Sequence, residues 1–314
     1  MAIPTAYGTT NKYNPVIEEF TNDLGAWVPS WQTFCGLETE NAAAKRVYAE
    51  IPVGDIPTWN GEADLTPIGH GATHTTSVTA DTYGGRIVIN EIEESRDPGL
   101  IGRMAGRLSE AVKRKLEKLV YAKLMLAFSE TVDDGAESTS VVVSTGDHKL
   151  LVGDQANLLT SALAASSLAD AREILAGWQN YNNEPLNLDK LPMALVCHPT
   201  LGDLARRLVG SPQHAQAVSG SVGATGAQIN PMNSTVNPER SITVTESAYC
   251  TESGNDAWFL ICKPPQTPLK LWVPTPPSLE IMRDAKDRNW SISVVFEAKA
   301  YYRAPVDGIV GSNP

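Results

Sequence analysis

Apolar residues recur every three or four positions between Asp97 and Ser129: Ile101, Met104, Leu108, Val112, Leu116, Leu119, Val120 and Leu124. One stripe on a 3.6-residue period predicts an amphipathic helix. Asp97 is its expected N-cap, with Pro98 in the first turn. The helix would then run about 32 residues, or roughly 48 Å. Its other face is basic. Arg103, Arg107, Lys113, Arg114, Lys115, Lys118 and Lys123 stand against Glu110 and Glu117, a balance of +5 in a chain of net charge −11. Such a stripe is either a solvated surface or a docking face, and the flanking elements bear on which.

Upstream, the period changes to two. Val47, Ala49, Ile51 and Val53 alternate with polar residues, and Thr75 to Glu94 reads as a return strand with Gly84-Gly85 as a bulge or twist point. The connection between them, Gly54 to His74, is rich in Gly and Pro, and long connections of this kind are usually functional. The pattern predicts a projecting hairpin. Residues 1–45 read as an arm: Val16, Phe20 and Leu24 fit a short amphipathic helix, followed by Trp27, Trp31, Phe34 and Leu37. These side chains are expected to pack either on their own domain or on a neighbouring subunit.

Downstream, strand and helix patterns alternate. A capping-box pattern at Ser167 to Asp170 opens a helix carrying Leu168, Ala171, Leu175 and Trp178. Leu191 to Cys197 is a strand, and Thr200 is the expected cap of a second helix with Leu201, Leu204, Ala205 and Leu208. Ser211 to Glu239 is rich in Gly, Ser, Ala, Asn and Gln, a composition that leaves disorder or ordering against other copies open. Strands follow at Ser241 to Glu246 and Ala257 to Cys262, then at Leu269 to Val273 and, beyond a proline cluster, Ser278 to Arg283. Trp290, Ile292, Val294, Phe296, Ala298, Ala300 and Tyr302 alternate cleanly, so one face of this last strand should be covered by the helical stripe.

Charge and chemistry narrow the function. An acidic balance argues against a general nucleic-acid binder. No basic-then-apolar leader and no apolar run of 18 residues is present, so no membrane contact is expected. Cys35, Cys197, Cys250 and Cys262 are irregularly spaced and read as reduced, buried thiols. His70 and His74 lack partners with metal-ligand spacing. Cys197-His198 are only sequence neighbours. Gly220 to Gly226 lacks the Lys-Ser/Thr of a phosphate loop. No catalytic residue, metal ligand or cofactor is expected.

Arm, hairpin, long basic helix, inserted α/β lobe and closing strands, in that order, resemble the major capsid proteins of tailed phages, the Hong Kong 97 capsid fold. Phe296 to Val310, and Arg303 to Val310 above all, carries the sharpest local likeness. The resemblance implies an α+β chain divided into an N-terminal arm (1–45), an extended β-hairpin loop (46–96) and a peripheral-domain spine helix (97–131). An axial domain (132–268) and closing peripheral strands with a tail (269–314) complete it. It implies a structural subunit that self-assembles as pentamers and hexamers into an icosahedral shell around double-stranded phage DNA, made in the host cytoplasm. Phe20, Trp27, Trp31, the hairpin tip at Trp59, Asn60 and Gly61, the helix cations Arg103, Arg107, Lys113 and Arg114, and Gly220, Gly223 and Gly226 of the polar loop are the expected inter-subunit contacts. A separate scaffolding protein, a portal and a decoration protein are the implied partners.

An encapsulin-like cellular shell of the same fold is the alternative, and a soluble α/β enzyme a remote one. Some relatives weld subunits by an isopeptide bond from a hairpin lysine to a neighbour's asparagine. Here no lysine lies between Lys45 and Lys113, so a shell without covalent links is expected. Residues 1–97 hold 14 acidic and 5 basic side chains, a balance of −9 that complements the +5 of the helix.

Overall fold

The computed structural model describes residues 13–42, 44–51, 71–133, 140–145, 148–149, 154–179, 184–211, 213–215, 227–229, 241–251, 255–283, 289–303 and 306–314. The spine helix spans Leu100–Met125, 26 residues, with Gly99 at its N-cap. That is about 39 Å, shorter than the stripe suggests at both ends. At the front, Asp97 closes a separate short helix, Glu91–Arg96, its amide bonding to Glu93 O at 3.0 Å. Asn90 caps that helix: its Oδ1 accepts from Ile92 N at 2.9 Å, and Glu93 Oε2 accepts from Asn90 N at 3.4 Å. Asn-x-x-Glu is itself a start signal, and it acts seven residues before Asp97. At the back, Leu126–Phe128 tightens into a 3-10 turn.

The return strand of the hairpin accordingly stops short of Glu94. It divides into Gly71–Val78 and Asp81–Ile89. Gly84 and Gly85 make no bulge; they pair in unbroken register with Val295 and Val294. Gly85 instead lies under the spine helix, where a Cβ would already touch Leu108 at 3.8 Å.

A four-stranded sheet runs in the order Gly36–Glu38, Leu269–Arg283, Trp290–Tyr302, Asp81–Ile89. Side chains alternate between its faces. Leu279, Ile281, Ile292, Val294, Phe296, Ala298, Ala300 and Tyr302 share one core with Leu108, Val112, Leu116, Val120 and Leu124 of the spine. The two strands expected on either side of the proline cluster are one strand of 15 residues. Its register shifts between Trp272 and Thr275 and again between Thr275 and Ser278. Pro274, Pro276 and Pro277 fall in those irregular stretches, where a missing amide costs no ladder bond.

A five-stranded sheet forms the inner lobe: Ile242–Glu246, Met193–Cys197, Trp258–Cys262, Ile309–Ser312, Leu158–Leu159. Its alternation separates two cores. Ala194, Val196, Phe259, Ile261 and Ile309 join the spine-helix core. Leu195, Cys197, Trp258, Leu260, Cys262 and Val310 pack with Leu168, Leu175 and Ala205 of helices Ala165–Gly177 and Pro199–Gly210. The tail therefore does not stay with the closing strands. Ile309–Ser312 pairs with Trp258–Cys262 in the five-stranded sheet, so the expected segment 269–314 starts with the closing strand at Leu269 but ends in the inner lobe. Helix starts also move. Ser167 is the third residue of its helix, its Oγ accepting from Ala164 N at 2.9 Å. His198 rather than Thr200 caps the second, its Nδ1 accepting from Thr200 N at 3.3 Å, because Pro199 occupies the first position.

Candidate assembly surfaces

The arm packs on its own subunit. Helix Asn14–Ala26 buries Ile17, Phe20 and Leu24, with Val16 only partly covered. Asp23 receives a 2.7 Å ion pair from Lys113 and a 2.5 Å hydrogen bond from Ser109 Oγ, both on the spine. Trp31 and Phe34 lie beneath, Phe34 5.5 Å from the Tyr121 ring, and Ser30 and Tyr121 share a 2.7 Å hydroxyl bond. Phe20 is 3% and Trp31 0% exposed. Their apolar area is spent in their own core, which corrects the expectation that they reach a neighbour. Trp27, half-buried edge-on against Trp31 at 6.3 Å, and fully projecting Val28 are what the arm leaves outside.

The hairpin is attached differently. Lys45–Ile51 and Gly71–Val78 pair with each other and with neither large sheet. Its root is held on the outer face of the four-stranded sheet. Lys45 Nζ reaches Glu38 at 2.7 Å and Glu40 at 3.1 Å, and Trp272 Nε1 donates to Glu40 O at 2.8 Å. Val78 and Ala80 pack on Trp272 and Tyr301. Nothing local in the sequence marks Lys45 or Trp272, because the root is built by segments far apart in the chain. The expected tip, Trp59, Asn60 and Gly61, lies outside the described residues. So do Gly220, Gly223 and Gly226, although two short paired strands, Gln213–Ala215 and Ala227–Ile229, bracket them.

The seven spine cations divide by environment. Lys113 faces Asp23, Lys123 pairs with Glu130, and Lys115 lies 4.3 Å over the Tyr83 ring. Arg103, Arg107, Arg114 and Lys118 are exposed. At 100° per residue these four fall within about 60° of arc and extend over about 22 Å. Arg103 pairs with Asp97, Arg114 Nε donates to Glu110 O at 3.4 Å, and Lys118 Nζ lies 5.8 Å from the Tyr249 ring. Exposed Glu110 stands on the same side of the helix between Arg107 and Arg114, so the four cations form an interrupted row with a net positive balance.

Catalytic constellations are not assembled among the described residues. Burial pushes the thiols of Cys197, Cys250 and Cys262 up to about 12, so none is a thiolate at neutral pH. No three His, Cys, Asp or Glu side chains converge on a metal position among the described residues. An open hollow of about 380 Å³ on the inner lobe is lined by Gln155, Asp170, Glu173 and Trp178, without a nucleophile and base pair. No described helix is long and apolar enough to cross a membrane.

Known proteins agree with this architecture. No curated protein matches the chain in sequence. In structure it is similar to the mature capsid of bacteriophage PhiM1, with 11% identity, 91% of this chain and 87% of that one covered, and a TM-score of 0.54. It is similar to the capsid of Ralstonia phage GP4, with 12% identity, coverages of 90% and 91%, and a TM-score of 0.53. It is also similar to a virus-like particle from Pyrococcus furiosus, with 12% identity, coverages of 95% and 96%, and a TM-score of 0.50. The family profile described as phage capsid protein matches residues 73–306, from the return limb of the hairpin to the final turn. The chain belongs to the phage capsid protein family and is a major capsid protein, a structural subunit of the tailed-phage capsid fold.

Proposed function

We propose that copies of this chain assemble as pentamers and hexamers into an icosahedral shell around double-stranded phage DNA, with the acidic hairpin of one subunit lying across the basic row of the next. The observation that carries this reading is the hairpin's isolation. Among the described residues it is a two-stranded ribbon that pairs with neither large sheet and is held at its root, and two strands alone are marginal in water. A neighbour supplies the missing surface. Arg103, Arg107, Arg114 and Lys118 supply complementary charge.

Each exposed pair contributes only about 0–1 kcal/mol, but symmetry repeats the contact and linked weak contacts act together. The net charge of −11 keeps the subunit from gripping DNA. Gly220, Gly223 and Gly226 lie in the polar loop that crowds near the symmetry axes in this reading. A separate scaffolding protein, a portal and a decoration protein complete the assembly, which takes place in the host cytoplasm.

The experiment is Arg103→Glu together with Arg107→Glu. Particle yield should fall several-fold, and assembly of the parent should weaken between about 0.05 and 0.5 M salt as screening shortens. Thermal stability of the unassembled subunit should be unchanged. Normal yield from the double variant contradicts the docking. The fold shared with the Pyrococcus particle favours one second reading, a cellular shell. Purified particles carrying a cargo protein instead of DNA would establish it.

A further inference from the structure

An edge strand turns the N–H and C=O groups of alternate residues away from its sheet. Natural proteins keep such edges short, cover them, or guard them with lysine, proline or a bulge. The two large sheets have four edges. Gly36–Glu38 is three residues long and Leu158–Leu159 two. Ile242–Glu246 is met by the arm, where the Thr33 and Thr245 hydroxyls share a 2.7 Å bond. Asp81–Ile89 is treated differently. It runs nine residues and pairs only with Trp290–Tyr302. Among the described residues, none of the nine makes a backbone bond on its other side.

This long edge carries no guard. It contains neither lysine nor proline, and its unbroken register leaves no bulge to turn it aside. Gly84 and Gly85 at its middle are exposed and leave the backbone bare. Its two charged side chains are engaged elsewhere. Asp81, at the end, holds Lys299 at 2.8 Å. Arg86 turns back over the sheet, its Nε donating to Ser291 Oγ at 2.6 Å. Tyr83 and Ile87 are only half-buried at the rim of the spine-helix core, and Val88 is 53% exposed.

The edge is also complementary to itself. A twofold axis normal to the sheet sets two copies of the strand antiparallel, with side chains on the same face opposite each other. With the axis at Gly85, all nine residues pair. Tyr83 then faces the second copy's Ile87 on the spine side, an aromatic–aliphatic pair of the stabilising kind. Thr82 faces the second copy's Val88 on the other side, and Gly84 leaves room for the second copy's Arg86. Moving the axis to Arg86 sets that cation against itself, which is destabilising. Moving it to Gly84 leaves Tyr83 opposite a glycine and the end of the strand unpaired.

We infer that Asp81–Ile89 joins the same strand of a second copy about a twofold axis at Gly85, so that the two four-stranded sheets run on into one. Main-chain bonds supply the affinity and the cross-strand pairs fix the register. The inference rests on the reading that copies of this chain associate, and names one edge they use.

Thr82→Cys combined with Val88→Cys tests it in the full-length chain. Both positions are exposed, and the four native thiols are buried. On one strand the two stand about 20 Å apart, so no disulfide closes within a chain. Oxidation with copper phenanthroline, on particles and on the concentrated unassembled subunit, should give a covalent dimer on a non-reducing gel. Nothing larger should form, because a twofold contact closes on itself. Thr82→Cys alone should give no dimer. In the parent chain, hydrogen exchange over residues 82–88 should slow several-fold on association. A ladder beyond the dimer, or a dimer from Thr82→Cys alone, would show another partner strand or register and overturn the inference. Unslowed exchange with no dimer would overturn it as well. Particle yield is read in the same preparations. Particles without the dimer refute this edge and leave the shell reading standing, whereas a dimer without particles supports the edge and counts against the shell.

Discussion

Lys113 of the spine helix holds Asp23 of the arm helix at 2.7 Å, and Ser109, one turn earlier on the spine, donates to the same carboxylate oxygen. The pair joins two segments some ninety residues apart in the chain and lays the arm against its own subunit. It also removes Lys113 from the row of cations that faces outward.

This contact makes arm docking sensitive to acid. The hydrogen bond from Lys113, and then that from Ser109, holds the Asp23 carboxyl below the usual carboxylate range. A carboxyl depressed in the folded state contributes stability that is present above its unfolded value near 3.9. That contribution is lost as pH falls through the folded value. Hydrogen exchange of residues 14–26 should therefore rise below about pH 4 before that of residues 108–125. Asp23→Asn should already show the faster arm exchange at pH 7 and lose the acid step, with a stability loss of about 0.5–1 kcal/mol for a half-exposed pair.

The turn that carries the chain from the closing strands into the inner lobe should be intolerant at one position. Gly308 has φ +80°, and a Cβ there would meet Cys262 Cβ and Sγ at 3.2 Å. Both the left-handed backbone and the contact oppose a side chain. Gly308→Ala should lower unfolding free energy by about 1–3 kcal/mol, read from denaturant midpoints of the unassembled subunit. Gly210→Ala, where an added Cβ meets nothing within 4 Å, is the control and should be nearly neutral.

The hairpin root gives a third test. Trp272→Ala removes the indole that bonds Glu40 O and supports Val78 and Ala80. It should raise exchange across Lys45–Ile51 and Gly71–Val78 while leaving the spine helix protected. Equal loosening of both regions would show that Trp272 supports the subunit as a whole rather than the hairpin.

Long, regular patterns are legible in the amino-acid sequence. The spine stripe and the alternation from Trp290 to Tyr302 each repeat over several turns or pairs, so periodicity alone identifies the buried faces of both elements. Boundaries are less legible, because neighbouring signals compete. Asp97-Pro98 reads as a helix start, yet Asn90-x-x-Glu93 starts one earlier and Asp97 ends it. Proline reads as a stop in the closing strand, where register shifts absorb it. The place of Ile309–Ser312 depends on pairing with residues about fifty positions earlier, which four residues of sequence do not announce. The candidate contacts divide in the same way. Exposure of Arg103, Arg107 and Arg114 follows from helix geometry, whereas the burial of Phe20 and Trp31 and the pairing of Lys113 depend on how the arm folds back.

Covalent linkage offers a fourth prediction. Between Lys45 and Arg103 there is no lysine and the cations are Arg46, Arg86 and Arg96, and a guanidinium stays protonated and is a poor nucleophile. Mature particles boiled in reducing SDS should run as one band near 33.8 kDa. A ladder of multiples would show a cross-link formed by some other route.

Shell formation is the central claim, and electron microscopy tests it most directly. The full-length chain, produced together with the proteins encoded beside it and concentrated, should give closed icosahedral particles whose capsomers are pentamers and hexamers. A preparation that remains monomeric under those conditions, with folded subunits by circular dichroism and no particles on the grid, would contradict the account.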